Sequence, residues 1–318
     1  MPLTVEALNN DTTFLLTFTP QEWTETPPLE AITVLLDPWI VGAAQVLSPS
    51  FSWQIRPTPA NITSLRDLPE PDIVLVSQDN PDHCHQESLT TLPATTSAKI
   101  LAPLNAAHRI ASWQHFTNPN TLKTMGPWKP NDDVFNFRFR KFIPAPFVGA
   151  DPQAAGTLTI SLLVEAGDYM GLHNAYSLVY TPGTASSTQP PMTVVFAPHG
   201  INCSTLVNWF STQKAERLSL IFHPFNQVTG PWYTGNSAFI RGARKGIKAA
   251  RSVSAALWIG AHDEQKELKG VATKGIDTKI VTIDEVRSMV GEGERGKDQD
   301  DMTVLKLGVG DKCVVKMM

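Results

Sequence analysis

The stretch Asp72–His83 (DIVLVSQDNPDH) decides how this chain is read. Ile73–Val76 is an unbroken apolar run of strand length, too short for a buried helix. A polar loop follows at once, Ser77-Gln78-Asp79-Asn80-Pro81-Asp82-His83, made of residues that end strands and build turns. Carboxylate, carboxamide and imidazole groups therefore stand at the end of a rigid element, where sites are commonly built.

The pattern recurs on both sides. Ile32–Leu36 (ITVLL) reads as a buried strand ending at Asp37-Pro38-Trp39, and Lys99–Ala102 as another, followed by a helical pattern from Leu104 to Trp113. Leu3–Leu8 and Thr13–Phe18, split by Asn9-Asn10-Asp11, predict an opening hairpin. Val134–Phe142 alternates Phe with Arg and Lys, as a half-exposed strand does. Downstream, Thr157–Glu165, Ser177–Tyr180, Thr193–Ala197, Ser219–His223 and Ala256–Gly260 read as strands, with Cys203–Leu218 and Ser237–Ala250 as helices. Thr303–Val315 predicts a final hairpin around Gly308–Asp311. Strand clusters followed by strand–helix alternation, twice over, favour an α/β fold with a pair of sheets and helices outside.

Composition narrows the function classes. The chain has 318 residues, a formal net charge of −4, 18% charged and 42% hydrophobic residues. Such a chain is not intrinsically disordered. No cationic excess exists to neutralise phosphates, so no nucleic-acid partner is expected. No apolar run is long enough to span a bilayer, and no basic segment followed by an apolar run opens the chain. A cytoplasmic protein with a small-molecule substrate is the expectation, and the oligomeric state is not legible. Cys84, Cys203 and Cys313 form no Cys-x-x-Cys pair, which excludes a zinc ribbon. Cys84 reads as a small buried hydrophobe rather than a nucleophile.

Of eight histidines, five fall just after predicted strands or in loops leading into one: His83, His173, His199, His223 and His262. Imidazole is the commonest metal ligand and carboxylates complement it, so ligands dispersed over several strand ends suit a metal site.

Five pieces in order carry a resemblance. DIVLVSQDNPDH resembles the strand and loop bearing the His-x-His-x-Asp-His motif of the metallo-β-lactamase fold superfamily. ITVLLDPW (Ile32–Trp39) resembles the strand ending in an aspartate, notably in the lactonase-like branch. GLHNAYSLVY (Gly171–Tyr180) resembles the motif with a His before a strand. VVFAPHG (Val194–Gly200) and ALWIGAHDE (Ala256–Glu264) resemble the two later strand-end motifs. The resemblance implies a four-layer αββα sandwich over residues 1–264, with a C-terminal extension over 265–318 packed on it or trailing from it.

The departures are informative. Gln78 and Asn80 stand where that family places two histidines, and carboxamides are poor zinc ligands. Only His173 remains of the first metal position. Asp82, His83 and His262 match the second, and His199 replaces the usual bridging aspartate. The resemblance thus implies one Zn, with Mn or Fe as alternatives, held by Asp82, His83, His199 and His262. Asp82 is also a catalytic candidate, and His173 a candidate to stabilise charge or position substrate. Asp263 and Glu264 stand either as acid or base or as caps on the next segment.

For the pocket, Gln78, Asn80, His85, His223, Trp232 and Tyr233 are substrate-binding candidates. Trp232 and Tyr233 are flanked by Gly230-Pro231 and Gly235 in a loop, whereas Trp39, Trp209 and Trp258 suit core positions. His85 and His223 stand equally well as hydrogen-bonding loop residues, as His108 and His115 do more plainly. Asp37 is expected behind the ligands, orienting an imidazole. The basic run Arg241–Arg251 reads as a solvated helix face. Three functions stay open: a hydrolase of an ester, lactone or related bond using one metal; a metal-independent lyase, isomerase or cyclase using His and Asp acid–base chemistry; and a non-catalytic binding descendant.

Overall fold

A computed structural model describes residues 2–19, 31–130, 137–139, 157–181, 190–231, 234–235, 237–292 and 302–316. Two seven-stranded sheets dominate. The first runs in the order β20 (Lys312–Lys316), β1 (Pro2–Ala7), β2 (Phe14–Phe18), β3 (Ile32–Leu36), β6 (Ile73–Leu75), β7 (Lys99–Pro103) and β8 (Leu122–Met125). The second runs β19 (Thr303–Leu305), β16 (Leu257–Gly260), β13 (Leu220–His223), β12 (Met192–Phe196), β11 (Ala175–Thr181), β10 (Thr157–Leu163) and β9 (Phe137–Phe139). Strands β3, β6, β7 and β8 run parallel, as do β12, β13, β16 and β19.

The apolar runs are continuous because both faces of each sheet are covered. Side chains alternate between faces along a strand. Along β6, Ile73 and Leu75 enter the layer between the sheets, while Val74 and Val76 face helices on the outside. Along β12 and β13, Val194, Phe196, Leu220 and Phe222 point inward, and Val195 and Ile221 outward. Aromatic pairs join the two sheets: Phe14 meets Phe222 at 4.8 Å between ring centroids, and Phe18 stacks on Tyr180 at 5.7 Å. Each such buried side chain contributes roughly 1.5–3 kcal/mol. Tyr176 adds a polar tie, its hydroxyl donating toward the carbonyls of Val76 (3.3 Å) and Leu101 (3.2 Å) in the opposite sheet.

Helices α1 (Gln86–Leu89) and α2 (Leu104–Ser112) cover the first sheet through Leu89, Ala106, Ala107 and Ile110. Helices α3 (Cys203–Phe210), α4 (Gly242–Ser252) and α5 (Ile283–Glu292) cover the second through Leu206, Trp209, Ala243, Ile247 and Val286. The layers are therefore helix, sheet, sheet, helix. In α4 the basic residues Arg244, Lys245 and Lys248 are exposed while Ala243, Ile247 and Ala250 are buried, so that run is a solvated face.

Two small sheets stand beside this sandwich: β15 (Ala238–Arg241), β14 (Gln227–Thr229) and β18 (Asp277–Lys279); and β17 (Glu267–Lys269), β5 (Ser52–Ile55) and β4 (Ala44–Val46). Residues 265–316 supply a strand to all four sheets.

Three local expectations are corrected. The segment 237–250 is not one helix: Ala238–Arg241 pairs with β14, and Gly242, at φ +50°, turns the chain into α4. The helix from Cys203 ends at Phe210 rather than at Leu218. Thr303–Val315 is not a hairpin, because β19 pairs with β16 while β20 pairs with β1 in the other sheet. Of the strand expected at Val134–Phe142, residues 134–136 and 140–142 lie outside the described residues.

Candidate metal centre

The parallel strands set the site, because loops at their carboxyl ends face one rim of the sandwich. Strand β3 ends at Asp37, β6 leads to Asp82 and His83, β12 leads to His199, and β16 leads to His262. Ligand atoms of His83, His199 and His262 all lie within 4.8 Å of one another, and all three residues are buried. His199 stacks on His262 at 4.8 Å between centroids, and His83 meets each ring edge-on at 4.9 Å. Asp82 lies alongside, its Oδ2 3.8 Å from His83 Nε2 and 3.6 Å from His262 Nε2.

Two imidazoles are fixed from behind. Asp37 Oδ2 is 2.7 Å from His83 Nδ1, and it also accepts from the Ser77 hydroxyl at 2.6 Å, while Asp37 Oδ1 accepts from the Ser77 amide. Asp11 Oδ1 is 3.0 Å from His262 Nδ1, and the amide of His262 donates to the Asp11 carbonyl. At His83 the Asp37 carboxylate holds the proton on Nδ1 and leaves the Nε2 lone pair directed inward. Asp37 and His262 carry φ values of +35° and +64°, unusual for residues with a Cβ, so both loops are held in conformations that cost energy.

His199 is positioned differently. Its carbonyl accepts from the Arg241 amide, and Arg241 forms a bidentate pair with buried Glu165, which also accepts from the Asn202 amide at the start of α3. Its Nε2 faces His83 Nε2 at 3.0 Å, and its Nδ1 is buried with no hydrogen-bond partner among the described residues. Two Nε2 lone pairs at that separation repel unless a proton or a cation lies between them.

The electrostatics separate these groups. Burial, then the charges of His262, His83 and His173, push His199 well below the ordinary histidine value. Burial also lowers His262, and Asp11 offsets this only in part. Burial alone would lower His83, but the Asp82 and Asp37 carboxylates outweigh it and raise it. Burial would raise Asp82, yet His83, His262 and Lys266 hold it below the usual carboxylate range. Asp11 follows the same pattern, with burial opposed by His262 and Lys266. The set offers one carboxylate and three imidazoles, the donor chemistry that zinc, iron or manganese takes, with a cation competing against the proton that the carboxylates favour on His83.

The remaining candidates fall in several places. His173 is outside the group of three. Its amide donates to Asp168 Oδ2 at 2.6 Å, and its Nε2 is buried without a partner among the described residues. Gln78 and Asn80 bond to each other, the Asn80 amide donating to Gln78 Oε1 at 3.0 Å. His85 caps α1, accepting from the Ser88 amide, and faces a separate cavity of about 410 Å³ that Arg109 and Glu87 also line. His223 is fully buried, pairs Nδ1 with the Pro224 carbonyl and packs edge-on against Trp258. Asp263 turns to the backbone of the loop after β13, accepting from the amides of Phe225 and Asn226 at 2.9 and 2.7 Å. Burial pushes it up to about 7 against those two amides. Cys84 is buried and pushed up to about 12, which makes its thiol inert. Trp232 and Tyr233 lie outside the described residues.

Asp11 and Lys266 are the residues the sequence did not reveal. Lys266 Nζ donates to Asp11 Oδ1 at 2.9 Å and sits 2.9 Å from His262 Nδ1. Asp11 read only as part of a hairpin turn, and nothing local marks it as reaching His262.

Over the floor formed by Asp82, His199 and His262 opens a cavity of about 660 Å³, walled by residues of both small sheets. No family model matches this chain, and no curated protein matches it. Solved structures do. A metallo hydrolase from the hyperthermophilic archaeon Ignicoccus hospitalis is similar over 100% of both chains, at 11% identity and a TM-score of 0.56. An isothiocyanate hydrolase from Delia radicum gut bacteria is similar over 100% of both chains, at 14% identity and a TM-score of 0.57. A possible metal-dependent hydrolase from Veillonella parvula is similar over 98% of both chains, at 12% identity and a TM-score of 0.56. The chain has the metallo-β-lactamase fold. At these identities the likeness carries the metallo-β-lactamase fold and does not single out a lactonase-like branch. Among the described residues, no helix is long and apolar enough to cross a membrane.

Proposed function

We propose that this protein is a hydrolase of an ester, lactone or related bond in a small molecule, working with a single metal ion held by His83, His199 and His262. The observation that carries this reading is the convergence of three buried imidazoles with carboxylates behind two of them. A divalent ion held there would supply Lewis acidity for activating water and polarising a carbonyl. Zinc is the first choice for such a donor set, with iron or manganese compatible.

The side chains then divide the work. Asp37 keeps His83 in the tautomer with Nε2 directed inward, and Asp11 with Lys266 fixes the His262 ring from behind. Asp82, held ionised, stands beside both Nε2 atoms, as a further ligand or as a proton acceptor. The buried, unpartnered Nε2 of His173 supplies a donor for charge developing on substrate oxygen. Gln78 and Asn80, bonded to each other, leave no imidazole or carboxylate pair for a second ion beside His173.

A second reading rests on the 3.0 Å contact between His83 Nε2 and His199 Nε2. One of these rings is raised and the other lowered, so a shared proton makes them an acid–base pair for a lyase or isomerase step without metal. Metal analysis of protein purified without chelator separates the two. A stoichiometric ion lost in His83→Ala and His262→Ala supports the hydrolase. Activity that survives chelator in protein free of metal supports the acid–base reading.

A further inference from the structure

We infer that the substrate is an amphiphile: one hydrolysable polar head on an extended apolar body, acyl or aryl, that lies in the cavity above the three histidines. The head-group assignment rests on the hydrolase reading, whereas the apolar body rests on the cavity alone.

The cavity has about 660 Å³, and Asp82, His199 and His262 reach it from the metal centre. Most of the surface its walls present is apolar, with Val46, Leu172, Val228, Phe239, Leu268 and Ile276 contributed by separate segments, while Gln54, Gln265 and Thr278 interrupt it. Beyond the metal centre, two charged side chains reach it, Lys266 and Glu264. Lys266 is paired with Asp11, and Glu264 accepts from the Thr58 amide through Oε1 while its Oε2 is buried without a hydrogen-bond partner among the described residues. Asn226 is spent as well, accepting from the Val281 amide and donating to the Asp263 carbonyl. A polar group of the substrate set against the apolar side chains would be left unpaired, at a cost of about 1–3 kcal/mol.

Apolar surface continues outward past the mouth. Met170, Leu268 and Ile280 line the cavity and are nevertheless 57%, 44% and 50% exposed. Val271, also exposed, is held there because its amide donates to the Ser50 carbonyl. Solvent-facing apolar side chains grouped around one opening mark a binding surface. The wall is also a built feature. Leu268 lies on β17, fixed to β5, and Ile276 and Ile280 flank β18, fixed to β14. Residues 265–281 therefore set which body fits, while the sandwich rim sets what happens to the head.

Straight-chain carboxylates from butanoate to dodecanoate, titrated calorimetrically into zinc-loaded and chelator-treated protein, test this. Affinity is expected to rise about three-fold per added methylene until the cavity is filled. Leu268→Asp and Ile276→Asp, each on a half-exposed wall position, are expected to flatten that rise while zinc content stays at the parent level. A rise that persists in protein taking up no metal supports the apolar body and counts only against the hydrolase reading. Zinc-replete protein whose affinity ignores chain length, or a rise unchanged in both variants, overturns the inference.

Discussion

Asp11 and His262 stand 251 positions apart in the chain and 3.0 Å apart in space. The turn of the first hairpin thereby supports a ring at the end of a strand in the opposite sheet. Asp11→Asn removes the carboxylate that fixes the His262 ring in place and also leaves the Lys266 ammonium without its partner. Metal affinity is expected to fall by about ten- to a hundred-fold. Competition against a metal-sensitive chelating dye measures this on the folded variant.

Gln78→His with Asn80→His replaces two mutually bonded carboxamides with imidazoles in the loop beside His173. The double variant should hold more metal per chain than the parent, as measured by elemental analysis. An unchanged content would show that this loop does not superimpose on the two-histidine position of the superfamily.

Acid should destabilise the metal-free protein across a defined window. His223 is pushed down to about 4, first by burial and then by the charges of Arg241 and His173, against the pull of the Pro224 carbonyl. Unfolded histidine titrates near about 6.5. Between those values the unfolded chain binds the extra proton, so stability is full above about 6.5 and is lost as pH falls towards 4, on the order of 3 kcal/mol. His199 acts in the same sense. His83, raised, acts in the opposite sense and loses its contribution as pH climbs. Thermal melts of chelator-treated protein should show a smaller acid loss in His223→Gln than in the parent.

Gly200 sits at φ +87° beside His199, and a Cβ there would lie 2.8 Å from His223 Nε2 and 2.9 Å from the Arg241 Cβ. Gly200→Ala should cost on the order of 2–3 kcal/mol and weaken metal binding as His199 is displaced. Gly246→Ala is the control, since its Cβ would meet Trp258 at 2.6 Å under α4. It should lower the melting temperature with a smaller effect on metal affinity.

Much of this was legible locally. The runs ITVLL, IVLV and TVVFA are apolar but for Thr33 and Thr193 because both faces of their strands are covered, and each is closed by turn-forming residues that carry the site. Asp37, Asp82, His83, His199 and His262 could be placed at strand ends from that punctuation alone. Asp11 could not, because its significance lies in the approach of the two sheets rather than in its neighbours. The strand Ala238–Arg241 was hidden for a related reason. The charge spacing of 241–251 runs helically into it, and only the partner β14 draws those four residues into extended form. Asp263 looked like an acid or base next to His262, yet two amides from 225 and 226 engage its oxygens.

Leu305 closes a strand in one sheet and Lys312 opens a strand in the other, so the span 306–311 carries the chain across the sandwich. Near the opposite flank, the amide of Trp128 donates to the Leu162 carbonyl, and Pro127 bridges Leu162. The two layers are laced at both margins, like a book bound along two sides. Sliding of one layer past the other is resisted at each binding, and Asp11 and His262, which belong to different layers, are kept in register.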